Sequence, residues 1–206
     1  MTQIRSKHNF IIYSFFKLYT LLSIRRHFKK VMVKSEISDT SRPVLLLQNH
    51  ISWWDGFWAL YLNMKIFHKK FHFMMLAEQL NKYWFFKYTG GYPVMKGTRS
   101  ILETLDYTGK LLSDKNNLVL IFPQGEIQSL YQNRIRFENG VSKIIRDNPD
   151  IQVIMSVCLI DYFSSPEVSL FIYLREYSDF SKKIEEEYQK FYMESVSRQT
   201  EIINHL

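Results

Sequence analysis

A histidine and an aspartate stand five positions apart, directly after an apolar run, in the stretch LLLQNHISWWDGFWAL at residues 45–60. A carboxylate that binds one ring nitrogen of a histidine fixes the tautomer and raises the basicity of the other nitrogen. His50 and Asp55 could therefore act as a general base toward a hydroxyl group. We identify no nucleophile beside them, because Ser52 follows His50 too closely and the chain has no Gly-x-Ser-x-Gly motif.

The elements around this pair are typical of an α/β protein. Strands are predicted at residues 44–48, 71–77, 117–122, 152–160 and 168–175, with an extended piece at 92–96. Helices are predicted at residues 55–67, 78–91, 100–113, 138–147 and 178–206. This alternation indicates a mixed, partly parallel sheet that is flanked by helices. Sites in such sheets lie at the carboxyl ends of strands, where the turn after residue 48 can bring Asp55 back onto His50.

The N-terminal segment, residues 1–34, carries the positive charge of the chain. It holds eight lysines and arginines and no acidic residue, so its +8 within a net charge of +7 leaves about −1 for the remainder. Between these charges, residues 9–24 are apolar but shorter than the ~20 residues needed to span a bilayer. We interpret the segment as an amphipathic helix in the membrane interface, with the basic residues 25–34 on anionic headgroups. The alternatives are a helix packed on the domain and a true span.

Length and cysteine content favour one domain with appendages in a reducing compartment. We divide the chain into the membrane-association segment 1–34, an α/β domain at 35–177 and a C-terminal helix at 178–206. Cys158 is the single cysteine and lies in an apolar run, which favours a core thiol. His68 and His72 have metal-ligand spacing without the glutamate of a metalloprotease motif, so we predict no metal. Nucleic acid is not expected as a partner because no binding motif occurs.

The segment NHISWWD, which contains His50 and Asp55, resembles the His-x4-Asp motif of the glycerolipid acyltransferases. This superfamily includes lysophosphatidic-acid and glycerol-3-phosphate acyltransferases. Three further blocks follow in the family's order: GGYPVMK at 90–96, IFPQGEIQS at 121–129 and an apolar strand around 153–160. The resemblance covers roughly residues 40–165, and it implies a glycerol-3-phosphate acyltransferase-like fold.

The resemblance also implies an activity. His50 would deprotonate an acceptor hydroxyl that attacks an acyl thioester, from acyl-CoA or acyl carrier protein, while Asp55 orients the ring. Backbone N–H groups near Gly125 would bind the thioester oxyanion. The implied substrate-binding residues are Lys96, Arg99, Phe122, Pro123, Gln124, Gly125 and Glu126. No cofactor is implied beyond the acyl co-substrate, and the expected location is the cytoplasmic face of a membrane, as a peripheral or monotopic protein.

Several residues depart from the family pattern. Gln124 stands where the family has a glutamate, with Glu126 two places later, and no arginine follows Gly125. Lys96 replaces the usual arginine and cannot make a bidentate bond to phosphate. The nearby residues Arg99, Arg134 and Arg136 could bind phosphate or be solvated surface charges, and Met155 or Ser156 takes the place of the fourth block's proline.

The acceptor is therefore left open between a lysophospholipid and another lipid or glycolipid alcohol. The cluster Trp53, Trp54, Phe57 and Trp58 could line the acyl path, touch lipid or pack in the core. The alternative functions are a non-catalytic lipid-binding protein on the same fold and an acyl-thioester hydrolase.

Overall fold

Seven strands form a single sheet in the computed structural model, which describes residues 5–95, 97 and 100–202. The strands are β1 (Lys30–Ser35), β2 (Val44–Gln48), β3 (Lys70–Leu76), β4 (Gly91–Val94), β5 (Asn117–Ile121), β6 (Gln152–Asp161) and β7 (Ser169–Glu176). Their order across the sheet is β1-β7-β6-β2-β5-β3-β4. All neighbouring pairs are parallel except β6 and β7, which are antiparallel. The predicted α/β class with a mixed, partly parallel sheet is confirmed.

Helices cover both faces of this sheet. They are α1 (Phe10–His27), α2 (Asp55–Leu62), α3 (Ala77–Lys82), α4 (Ser100–Leu112), α5 (Val141–Asp147) and α6 (Ile184–Ile202). A π-helical turn at Asn63–Phe67 extends α2, and a 3-10 helix at Trp84–Tyr88 follows α3. One core lies under α1 and α2, and the other lies under α4, α5 and α6. The central strands β2 and β5 are buried along their whole length, as parallel strands between two helical layers must be.

Strand β1 was missing from the sequence prediction, which treated residues 25–34 as a basic surface cluster. It pairs in parallel with β7, and Val31 and Val33 stand opposite Leu170 and Ile172. The boundary predicted after residue 34 falls inside this strand. The N-terminal segment is therefore joined to the sheet rather than appended to it. At the other end of the chain, the terminal helix begins at Ile184 and not at residue 178.

Helix α1 exposes several of its large apolar side chains. Its buried residues are Thr20, Ser23 and Ile24, and the Thr20 hydroxyl donates to the Phe16 carbonyl within the helix. The exposed large residues on the helix are Phe10, Ile11, Phe15, Leu18 and Leu22. Among the described residues, no helix combines the length and the apolar character needed to cross a membrane.

Main-chain pairing holds α1 in place at both ends. Before the helix, Lys7 N donates to Lys87 O at 3.1 Å and Gly90 N donates to Lys7 O at 2.9 Å. The side chain of Asn9 then caps the first turn by accepting from the N–H groups of residues 11 and 12. After the helix, the chain enters β1 within three residues. The orientation of α1 is thus fixed by residues 87–90 on one side and by the pairing of β1 with β7 on the other.

Candidate active site

His50 and Asp55 meet in the turn that joins β2 to α2. Oδ2 of Asp55 accepts hydrogen bonds from His50 Nδ1 at 2.7 Å, Ile51 N at 2.6 Å and Ser52 N at 2.9 Å. The two main-chain N–H groups tie the carboxylate to the turn at the start of its own helix. The contact that the five-residue spacing predicted is therefore present in the structure.

This geometry assigns the tautomer of the His50 ring. Because Oδ2 of Asp55 already receives two main-chain N–H groups, it acts as an acceptor, and Nδ1 of His50 is the donor. In the neutral ring Nε2 then carries the lone pair. The side chain is 21% exposed, and it lines a cavity. Its ring stacks on Phe122 with centroids 4.1 Å apart and planes 11° from parallel.

Asp55 is held in a fully buried environment. Burial raises the pKa of its carboxyl, and the hydrogen bonds from His50 and the turn oppose that rise because they favour the charged form. Its second oxygen, Oδ1, is buried without a hydrogen-bond partner among the described residues. The carboxylate therefore directs its hydrogen-bonding capacity through one oxygen, the one that holds the His50 ring.

Buried amides connect the same turn to the centre of the sheet. Gln48 Nε2 donates to Asp55 O at 2.9 Å, and Ser156 Oγ donates to Gln48 Oε1 at 3.4 Å. Asn49 pairs with the main chain of Cys158 through two bonds of 2.9 and 2.7 Å. The sequence interpretation did not assign a role to Gln48 or Asn49, although two amides at the end of an apolar strand were a visible signal.

The two β6 residues in these contacts are buried parts of the site's support. Burial raises the pKa of the Cys158 thiol, which agrees with a core cysteine. Ser156 is one of the two residues that could take the place of the expected proline, and its carbonyl accepts from the Tyr188 hydroxyl at 2.7 Å. The fourth block is thus held by hydrogen bonds from β2 and α6.

The FPQG segment forms a tight turn beside His50. Gly125 N donates to Phe122 O at 3.0 Å, and Gly125 has φ +70°, a conformation that glycine adopts without strain. The N–H of Gly125 is therefore engaged within the turn. A main-chain oxyanion donor from this segment must come from a neighbouring residue.

Four of the predicted substrate-binding residues line the same cavity as His50. They are Phe122, Pro123, Gly125 and Glu126. Gln124 is buried behind that wall and bonds to the main chain of His50 instead. Lys96 and Arg99 lie outside the described residues. Arg134 and Arg136 are exposed and are not part of the cavity wall.

The cavity measures about 480 Å³, and His50 is part of its wall. Aromatic rings form one wall, with Phe16 from α1, Phe57 from α2 and Phe86 from the 3-10 helix. The other wall includes Leu105 from α4 and Ile144 from α5. These residues belong to both sides of the sheet, so the cavity passes around the carboxyl ends of its strands. A volume in the range of 300–1,000 Å³ is typical of small-ligand sites.

The four residues of the tryptophan-rich cluster, Trp53, Trp54, Phe57 and Trp58, do not share one environment. Trp58 is buried in the core under α2, whereas Phe57 is buried and lines the cavity. Trp53 is half exposed and also lines the cavity, and Trp54 is partly buried. The cluster therefore joins the core, the cavity and the surface.

The sheet is mostly parallel, and an apolar cavity lined by His50 lies at the carboxyl ends of its strands. The fold and the site are therefore those of an α/β protein with a cavity suited to an apolar ligand. Residues 29–159 match the Acyltransferase family. The chain belongs to that family, the glycerolipid acyltransferase superfamily, which confirms the predicted family. A comparison with curated proteins finds no match. Within the part of the chain that the structure describes, no group of three potential metal ligands occurs.

Proposed function

We propose that the protein is a membrane-associated O-acyltransferase with a lipid acceptor. It moves a fatty acyl group from the thioester of acyl-CoA or acyl carrier protein to a hydroxyl of a lysophospholipid or a related lipid. Family membership supports acyl transfer. The observation that carries the finer proposal is the 2.7 Å contact between Asp55 and His50, which lines an apolar cavity.

The reaction uses Nε2 of His50 as the general base. As the acceptor hydroxyl oxygen attacks the thioester carbonyl carbon, its proton passes to Nε2 and the carbonyl oxygen becomes an oxyanion. Collapse of this intermediate re-forms the carbonyl and breaks the carbon–sulfur bond. The thiolate leaves and takes the proton from His50, so the ring returns to its starting state. No covalent acyl-enzyme is required.

Asp55 and Phe122 define where the ring stands during this cycle. The carboxylate fixes the tautomer that leaves Nε2 as the proton acceptor, and it stabilises the imidazolium that forms. Phe122 supports one ring face by stacking, so the ring is confined to a plane that opens toward the cavity. The acyl chain lies in the cavity among the apolar side chains.

We propose that Lys96 and Arg99 bind an acidic headgroup of the acceptor, as the second family block implies. The segment between β4 and α4 that holds them begins after Val94, and both Val94 and Ile101 line the cavity. Glu126 stands at the same cavity and can accept a hydrogen bond from a headgroup hydroxyl or amine.

We further propose that the outer face of α1 lies in the membrane interface on the cytoplasmic side. Trp53 and Trp84 are exposed beside it, since Trp53 packs on Phe57, Trp84 packs on Phe85, and both of those phenylalanines contact Phe16. Exposed aromatic rings next to an apolar helix face are typical of interfacial binding. Phe16, Trp53 and Phe57 also line the cavity, so a lipid could enter it from the bilayer.

The activity is tested with purified protein, acyl-CoA and a panel of lyso-lipids, by measuring thiol release and the acylated product. We expect His50→Ala to lower turnover about a thousandfold, because general base catalysis contributes 10²–10⁴-fold. His68→Asn is the matched control, since His68 is exposed and left-handed and asparagine tolerates that conformation. Turnover retained in His50→Ala would contradict the mechanism. Thiol release that does not depend on an acceptor would favour the hydrolase.

Membrane binding is tested by sedimentation with vesicles that contain an anionic phospholipid. Leu18→Gln combined with Leu22→Gln should weaken vesicle binding at least about tenfold, because transfer of one leucine side chain from water into the membrane contributes roughly 1.5–3 kcal/mol. The control is Leu102→Gln, which replaces a similarly exposed leucine on α4. Equal losses in the two proteins would contradict a role for the outer face of α1.

A further inference from the structure

A chain of side-chain amides runs beneath His50. His50 N donates to Gln124 Oε1 at 2.6 Å, and Gln124 Nε2 donates to Gln128 Oε1 at 2.7 Å. Gln128 Nε2 in turn donates to Glu126 Oε1 at 3.4 Å, the longest link of the chain. Gln128 also returns to the start, because its main-chain N–H donates to His50 O at 2.8 Å. Both main-chain polar groups of His50 are therefore held by one loop.

The direction of this chain is fixed at both ends. A main-chain N–H such as that of His50 can only donate, and an ionised carboxylate such as that of Glu126 can only accept. Each amide between them must accept on one side and donate on the other. Gln124 can meet this demand, whereas a glutamate at position 124 could only accept.

We propose that Gln124, Gln128 and Glu126 form a one-way hydrogen-bond relay that positions the main chain of His50 for catalysis. Gln124 and Gln128 are its positioning residues, and Glu126 terminates it. The inference rests on the proposed role of His50 as the base. It gives Gln124 a function different from substrate binding, which agrees with its burial and with its place outside the cavity wall.

The relay completes the restraint on the ring. Asp55 holds Nδ1 and the N–H of Ile51, and Phe122 stacks on the ring, but neither bonds to the N–H or the C=O of His50 itself. Gln124 accepts from the N–H of His50, and the main-chain N–H of Gln128 donates to its C=O, so Nε2 keeps its place relative to the cavity. Misplacement of a catalytic group by about 1 Å can cost around a hundredfold in rate.

The relay explains why the carboxylate stands at position 126 when position 124 is an amide. With Gln124→Glu alone, the new carboxylate would accept from His50, and Gln128 would turn its amide to donate to that carboxylate. Oε1 of Gln128 would then face the acceptor oxygens of Glu126, which leaves an unfavourable contact. If Glu126→Gln is added, the amide introduced at position 126 can donate to Gln128, and that end of the relay runs in the opposite direction.

The test is a double-mutant cycle of Gln124→Glu and Glu126→Gln, assayed for kcat and KM. We expect Gln124→Glu to lower kcat about tenfold in the wild-type background, with little change in KM for the acyl donor. In the Glu126→Gln background the same substitution should change kcat by about twofold or less, because the reversed relay is satisfied. Gln124→Met, whose thioether is only a weak acceptor for the His50 N–H, should lose activity in both backgrounds.

Amide hydrogen exchange at residues 50 and 128 gives a readout that does not require activity. Exchange should become faster in Gln124→Glu and should return toward the wild-type rate in the double variant. Equal effects of Gln124→Glu in both backgrounds, in kinetics or in exchange, would overturn the relay. A wild-type protein without acyl transfer would refute the proposed function, and the exchange data would still decide whether the relay exists.

Discussion

Two histidines in this molecule occupy opposite environments. His50 binds the carboxylate of Asp55 and opens onto a cavity. His72 in β3 is buried, with Nδ1 at 2.8 Å from Ser6 Oγ and Nε2 at 3.3 Å from Asn117 Oδ1. Both of these partners are neutral, and the ring of a second histidine, His8, meets that of His72 edge-on at 4.9 Å.

The difference shows that partner and access together decide what an imidazole does. At His72, burial lowers the pKa to about 4, repulsion from Lys70 and from any proton on His8 adds to the decrease, and the Asn117 hydrogen bond opposes it. Burial likewise lowers the pKa of His8. The pair therefore stays neutral and joins the segment before α1 to the sheet. His50 has an ionisable partner and open space beside its ring, which are the requirements of a base.

The largest effect is expected from the carboxylate that distinguishes the two sites. Asp55→Asn would present an amide to the His50 ring, and an amide that donates to Nδ1 selects the tautomer with the proton on Nε2. We expect kcat to fall by at least about a hundredfold while the fold is retained. Steady-state kinetics with a thermal melt checks both parts. Unchanged kcat would mean that the carboxylate does not set the tautomer.

The next effect concerns stability at low pH. The lowered pKa of His72 means that the folded state binds its proton less readily than the unfolded state, whose histidine has a pKa near 6.5. Neutral His72 therefore contributes to the free energy of unfolding above pH 6.5, and this contribution is lost as the pH falls toward 4. At pH 5 the loss is about 2 kcal/mol. His72→Gln should show a flatter dependence in urea unfolding at pH 7 and 5. The same slope in both proteins would contradict this assignment.

A third experiment would make His72 resemble His50. Asn117→Asp places a carboxylate beside Nε2, and the attraction should raise the pKa of His72 by about one unit or more. Proton NMR of the imidazole resonances measures this change. No gain in acyl transfer is expected, because His72 does not line the cavity. Without a pKa rise, the partner would matter less than burial.

The smallest effect is expected at Ser6. Ser6→Ala removes the hydroxyl from Nδ1 of His72 and also its contact with the Tyr107 hydroxyl. A half-buried hydrogen bond of this kind contributes about 1 kcal/mol. Chemical denaturation at pH 7 measures the loss, and kcat should not change. A fall in kcat would show that the environment of His72 is coupled to the active site at the carboxyl ends of the strands.

The strands that could be predicted from the sequence are those that a run of apolar residues marks by itself. Strands β2, β5 and β6 are continuous apolar runs, and burial on both faces gives them no other solution. Strand β1 escaped prediction because Lys30 and Lys34 break its pattern, and an edge strand tolerates such charges. Its place is decided by pairing with β7, which no local pattern reveals.

The site could be predicted only in part for a similar reason. Contact between His50 and Asp55 follows from a short turn between a strand and a helix, which is local geometry. The bonds from His50 to Gln124 and from Asn49 to Cys158 join residues 74 and 109 positions apart, and they depend on the order of strands in the sheet. The sequence does not reveal which distant main-chain group the side chain of an asparagine or glutamine will bond to.

The main-chain hydrogen bonds on both sides of α1 have a practical consequence. Deleting residues 1–34 would remove all of β1 except Ser35, and with it the strand that shields one edge of β7. Such a truncation could cause misfolding or self-association, and loss of membrane binding would not then report on α1. If a protease cleaved the chain near residue 28, the two fragments would stay associated through the main-chain hydrogen bonds on both sides of the cut. Point substitutions on the outward side of the helix are the informative route.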